Sequence, residues 1–423
     1  MLHNARAANP YGKLALRSGT PPKSGEALAA FAAQSRRDTR PAARAFWPCA
    51  VLAATAGCSP ADQISNSGFG AYEVSLAAWS DGLAVAWYDT RNGNAEVYVR
   101  PLDANGRETG SELRLTTTAA ESYEADVAPL TDAFAIAWYE KEHDGAMRAQ
   151  LGVWKRDGTR VWSTPVKVGS GSSRNPVVRT FGDAVFCAWI EADGNRRESV
   201  WGGWWGVDGQ PRGTPVRLGA AGETTWNLNA AIAPTGEAWV VFDAHADTRV
   251  EELFAATLSE GVVALARLTA DDGIRSKYPD LALWADRGAL AWYDERDGNR
   301  EIYLAAGVAE DLLLPIEARA RRVTTTPGAS IGAYLAANGD RIGVAWSDDS
   351  SGNYEVFFQS FDADGNPFMP PRRLSDTPTN SMIPAIEPWR DGFALAWDEV
   401  VPAPRGADNA ETRAEVVFTT VRP

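Results

Sequence analysis

GLAVAWYD at residues 82–89 recurs, with changes, as AFAIAWYE (133–140), AVFCAWIE (184–191), EAWVVFD (237–243), ALAWYDE (289–295), IGVAWSDD (342–349) and FALAWDE (393–399). The runs align at Trp87, Trp138, Trp189, Phe242, Trp292, Trp346 and Trp397, with spacings of 51, 51, 53, 50, 54 and 51 residues. That period exceeds an ankyrin or leucine-rich unit and fits a propeller blade. Further strand-like stretches flank each run, such as AEVYVRPLD and ELRLTTT behind the first. Asn105-Gly106, Asp157-Gly158, Asp208-Gly209 and Asp364-Gly365 put residues tolerant of positive φ at the third-to-fourth turn, as tight hairpins require. The expectation is an all-β chain forming a seven-bladed β-propeller of four-stranded antiparallel blades.

The ends of the repeat array predict how the ring closes. The outer strand of each unit carries an apolar residue 21 to 24 positions before the next aligned aromatic: Leu115, Val168, Leu218, Leu268, Val323 and Leu374, with Ile64 at the matching place before Trp87. After EVVFTTV (415–421) no fourth strand follows, so residues 62–67 are expected to supply the outer strand of the last blade.

Composition agrees with a folded β-protein: 45% of the 423 residues are hydrophobic, and 17 Trp stand against 4 Met and 3 His. Residues 1–57 hold eight Lys/Arg and two Asp/Glu, leaving 33 basic against 53 acidic residues for the remainder. An acidic surface of this kind repels phosphate backbones, which disfavours nucleic-acid binding.

The N-terminal stretch RRDTRPAARAFWPCAVLAATAGCSP (36–60) is basic, then apolar, then small, ending at Cys58. The apolar run is shorter than the ~20 residues that a membrane span needs, so it is a secretory signal rather than an anchor helix. Thr55-Ala56-Gly57-Cys58 resembles the lipobox of bacterial lipoproteins, with Thr55 in place of the usual Leu. The resemblance implies lipidation of Cys58, which becomes the mature N-terminus, and Ser59 behind it favours the outer membrane in a diderm envelope. Residues 1–57 are therefore a disordered extension and signal peptide, 58–61 a lipid-anchored linker and 62–423 the propeller, a monomer that meets the membrane only through its lipid. Cys187 takes the place of Val85, Ile136 and Leu395 in the other repeats, as a buried thiol would.

DTRNGNAEVYV (89–99), DERDGNREIYL (294–304) and DDSSGNYEVFF (348–358) resemble the Asp-Arg-x-Gly-Asn-x-Asp/Glu-Ile-Tyr repeats of TolB-type periplasmic propellers. The resemblance covers residues 62–423 and implies the fold and an envelope setting. It implies an activity only weakly.

Two residues past the aligned aromatic stand Asp89, Glu140, Glu191, Asp294, Asp348 and Glu399, while blade four has Asp243 one residue early. These acids can cap their own turns, Asp89 with Arg91 and Asp294 with Arg296. They can also form a ring of carboxylates that attracts a cation, an amine or a basic partner. Calcium is the one metal to consider, although no complete EF-hand spacing is present. Tyr72, Tyr123, Trp226, Asn227 and Tyr278 fall near the innermost strands, where they can pack between blades or ring the channel mouth for a glycan. Trp201 to Trp205 are a candidate contact patch.

His143 and His245 lack a hydrolase or metalloprotease context. Arg174, Arg179, Arg275 and Arg390 do not recur at equivalent positions, and sialidase-type Asp boxes are missing from the third-to-fourth turns. The sequence thus points to a non-enzymatic envelope scaffold for a protein or polysaccharide partner. A carbohydrate-active, sialidase-like or other glycoside hydrolase propeller is the alternative.

Overall fold

The computed structural model describes residues 61–193, 197–219, 225–245, 247–402 and 412–423; the leader and Cys58 lie outside them. Among the described residues there are seven four-stranded antiparallel sheets. The innermost strands are Ala71–Trp79, Glu121–Pro129, Ser173–Phe181, Thr225–Ile232, Ser276–Trp284, Ser330–Asn338 and Ser381–Trp389. Each packs on the innermost strands of both neighbours, and the seventh meets the first, so the sheets form a closed ring.

The repeated run is the second strand of each blade, and it is almost wholly buried. Trp87, Trp189, Trp292 and Trp397 are entirely inaccessible, as are Phe242 and Cys187. Burial pushes the Cys187 thiol well up, which makes it a packing group rather than a nucleophile. The predicted turn glycines Gly106, Gly158, Gly209 and Gly365 all have φ between 76° and 87°.

Ring closure follows the expected route. Asp62–Gln63 pair antiparallel with Val417 and Phe418 of the last strand, and Ile64 N continues the ladder to Val416 O (2.9 Å). One outer-strand position is corrected. Val168 is exposed, whereas Val166 is buried and donates its N–H to Ala149 O (2.9 Å), the bond that Leu115 makes to Val97 O. Val166 stands 23 positions before Trp189, the spacing that Leu115, Val323 and Leu374 keep from the aromatic of the next blade, whereas Val168 stands 21 before it.

Every innermost strand carries a β-bulge near its start, between Tyr72 and Ser75 in blade one and at the matching place in the other six. Glu73, Glu124, Asn175, Tyr278 and Ile383 take left-handed backbone there, with φ of 48–56°. A left-handed non-glycine residue costs about 1–2 kcal/mol. Its repetition here sets which side chains face the axis.

Candidate functional site

The carboxylates that follow the aligned aromatics lie inside the blades. Asp89, Glu191, Asp243, Asp294 and Asp348 are at most 4% exposed; Glu140 and Glu399 are half-buried. Their oxygens serve local donors. Asp89 accepts from Arg91 N (2.7 Å) and its guanidinium, and Asp294 from Arg296 N (2.9 Å), its guanidinium and Ser276 Oγ. Asp348 takes Ser350 N and the hydroxyls of Thr326 and Ser330, while Glu191 takes Val168 N and Gly169 N. Glu140 accepts from Gln150 Nε2 (3.3 Å).

The two-residue offset has a physical cause. Residues i and i+2 share a face of a strand, so in blades three, five and seven the acid reaches the buried indole N–H that must otherwise go unmet. Trp189 donates to Glu191 (3.0 Å), Trp292 to Asp294 (3.1 Å) and Trp397 to Glu399 (3.2 Å). Blade four has Phe242, which has no N–H, and Ala244 in place of the acid.

The motif stretches are staples as well. Arg91 lies over the Tyr98 ring and Arg296 over Tyr303, each at 4.5 Å. Asn94, Asn299 and Asn353 each donate Nδ2 to carbonyls of the loop into the next blade. Glu96, Glu301 and Glu355 are buried, each accepting a hydroxyl (Thr116, Thr324 or Ser375) and an arginine (Arg114, Arg322 or Arg373) of the outer strand. Glu252 of blade four has only Thr269 Oγ1, and desolvation pushes it up to about 8. The Trp201–Trp205 segment is likewise structural: Trp204 packs on Phe186 and Trp205 on Trp189.

Charge converges elsewhere, in the axial channel. Beyond the bulge, alternate innermost-strand residues are half-exposed and face the axis. They bring in Glu73, Glu124, Asp126 and Glu387, with Asp280 almost covered, against Arg179 as the one cation of this belt among the described residues. A hydrogen-bonded belt crosses the blades: Ser75 Oγ to Asp126 (3.0 Å), Arg179 Nη1 to Asp126 (2.7 Å), Arg179 Nη2 to Asn229 (2.5 Å) and Asn229 Nδ2 to Asp280 (2.5 Å). Asp280 also accepts Leu281 N and Leu335 N, yet desolvation lifts it to about 6. Glu387 lies across from Arg179, and desolvation lifts it to about 8.

The structure separates the aromatic and amide residues named from the sequence. Tyr72 is buried, stacked on Tyr88 of its own blade (5.4 Å) and close to Asp398 and Ala414 of blade seven, while Tyr123 meets Tyr88 edge-on (5.0 Å) and Tyr139 tilted (5.6 Å), so Tyr72 packs between blades seven and one and Tyr123 between blades one and two. Asn227 and Tyr278 stand at the bulge, half-buried, with Asn227 Nδ2 donating to Asp243 (2.7 Å) and the Tyr278 ring stacked on Tyr293 (5.9 Å). The Trp226 side chain lies outside the described residues. Glu73, Glu124, Asp126, Asp280 and Glu387 carry no common residue type from blade to blade, and only their i, i+2 alternation in the strand could have marked them.

Among the described residues no group of three or more His, Cys, Asp or Glu is arranged to hold a metal ion. His143 is exposed, and His245 ends the second strand of blade four. Arg174 bonds Glu198 (2.8 Å), Arg275 bonds Glu251 (2.8 Å), and exposed Arg390 reaches Asn105 (3.2 Å).

No family model matches the chain, and no curated protein matches it. Solved structures show the fold. A protein of unknown function from Dyadobacter fermentans is 10% identical, with a TM-score of 0.52 over 87% of this chain and 100% of its own. The polysaccharide lyase Uly1 is 9% identical, with a TM-score of 0.54 over 92% and 95%. A puromycin-hydrolyzing peptidase of Mycobacterium tuberculosis is 13% identical, with a TM-score of 0.52 over 83% of this chain. The chain spans about half of that peptidase, 51% of its length.

Proposed function

We propose that this chain is a non-enzymatic scaffold of the bacterial cell envelope, tethered through a lipid on Cys58, that presents its axial mouth to a basic region of an envelope protein. The observation that carries the reading is the channel charge. Among the described residues Glu73, Glu124, Asp126, Asp280 and Glu387 face one arginine, an excess that strand pairing does not require and that focuses cations toward the axis. The turn carboxylates, by contrast, are occupied by donors within the blades and at their boundaries.

Crosslinking in native membranes followed by affinity isolation tests this, with wild type beside a Glu73→Gln/Glu124→Gln variant. A basic partner enriched with wild type, and lost both with the variant and at high salt, is expected. Equal recovery with both proteins contradicts the reading, and a bound polysaccharide would shift it to an envelope polymer. Cys58→Ala should move the protein out of the membrane fraction; retention there contradicts the tether.

One observation favours a second reading as a carbohydrate-active enzyme. Asp280 and Glu387 are two carboxyl groups that share the channel, both lifted by desolvation, as a carboxyl held ready to give a proton is. Turnover of aryl glycosides that disappears with Glu387→Gln would replace the scaffold reading.

A further inference from the structure

Asp243 and Asp398 hold the same place in blades four and seven, one residue past the aligned aromatic. Each reaches the next blade at its bulge. Asp243 accepts from Asn227 N (3.2 Å), Asn227 Nδ2 (2.7 Å) and Tyr278 N (3.0 Å). Beside it lies the ammonium of Lys277, 1% exposed and paired with Glu251 at 3.2 Å. At the other boundary Asp398 Oδ2 accepts Glu73 N (2.8 Å), but Oδ1 meets no donor although the residue is only 2% exposed. The register that places Lys277 in blade five places Tyr72 in blade one.

We propose that the boundary between blades seven and one binds a small primary alkylammonium ion, whose charge takes the role at Asp398 that Lys277 plays at Asp243. The inference rests on the acidic mouth of the scaffold reading and names the chemistry recognised there. An unmet buried acceptor is costly, of order 1–3 kcal/mol, and an ammonium brings three donors. One would serve Asp398 Oδ1, and the Glu73 carboxylate stands on the channel side of the same bulge. Tyr72, Tyr88 and Tyr334 lie close enough to Asp398 for its charge to raise their phenols, so the surroundings of the free oxygen are aromatic. The guanidinium groups of Arg91 and Arg413 are held by Asp89 and Glu415.

The geometry selects the ligand class. A guanidinium binds a carboxylate through both oxygens, and here one oxygen is already taken. Calcium needs six to eight oxygen ligands, and no such grouping exists among the described residues. A compact point charge on an alkyl stem fits one free oxygen beside aromatic rings. Burial lifts Asp398 to about 7, so affinity should weaken about tenfold between pH 8 and pH 6 as the carboxyl is protonated.

Calorimetry on the full chain with n-butylammonium tests the site, using n-butanol and calcium as controls at constant ionic strength. Saturable one-to-one binding is expected at pH 8, at least tenfold weaker in Asp398→Asn and several-fold weaker in Glu73→Gln, with no binding of butanol. Should Asp398→Asn fail to fold, Glu73→Gln and the pH profile decide. Absence of saturable binding, equal affinity in wild type and both variants, or equal competition by calcium overturns the proposal. A positive result here with no envelope partner recovered would leave the ammonium site standing and remove the scaffold role.

Discussion

The boundary between blades four and five and the boundary between blades seven and one are built around the same aspartate, yet only the first contains its own cation. Asp243 has three donors and a buried lysine beside it. Asp398 has backbone N–H groups on one oxygen, nothing on the other, and tyrosine where the lysine would be. Repeats of one ancestral pattern can thus hold a charge in two ways, sealed by a partner within the chain or left for one outside it. Burial of a charge is expensive unless it is paired, so the unsealed copy is where a ligand has the most to gain.

The largest expected effect comes from breaking the sealed copy. Lys277→Met leaves Glu251 and Asp243 buried without their ammonium and should cost about 3–5 kcal/mol, read from urea unfolding at pH 7. A loss below 1 kcal/mol would mean that the two boundaries do not differ as described.

The next effect has the opposite sign. The Asp398 carboxyl is raised from 3.8 to about 7, so its contribution to stability is fully present below pH 4 and is lost as pH rises through 7. Asp398→Asn should therefore stabilise the protein by up to about 4 kcal/mol at pH 8 and make little difference at pH 4. The wild-type melting temperature should fall between pH 5 and pH 9 more steeply than that of the variant. Parallel curves would remove Asp398 from the account.

The smallest effect sharpens the pairing. Asp243→Asn relieves a buried charge but withdraws one of the two carboxylates facing Lys277, so the terms oppose and the net change should stay within about 1 kcal/mol. A gain as large as that of Asp398→Asn would make the two aspartates equivalent after all.

The fold was legible because it rests on a repeated residue. An indole every fifty-odd positions, glycine turns and a missing last strand sufficed to predict blades, hairpins and closure through Asp62–Gln63. The acids after each indole were equally visible, but their work was not, since only the structure shows Trp189, Trp292 and Trp397 donating to them. The channel escaped for a reason of register. Each bulge inserts a residue, so Glu73 and Glu124 face the axis while Tyr72 and Tyr123, one position earlier, turn between the blades. Asp398 stood beside the flagged Glu399 and was hidden because its role lies across a blade boundary that no local pattern records.

The Asp398 carboxyl group decides between a sealed and an open boundary. A pH titration of the Asp398 side-chain carbon by NMR, assigned with Asp398→Asn and repeated with n-butylammonium, tests it most directly. The account predicts a midpoint near 7 that moves down when the amine is added. A midpoint in the ordinary carboxylate range, unmoved by the amine, would contradict it.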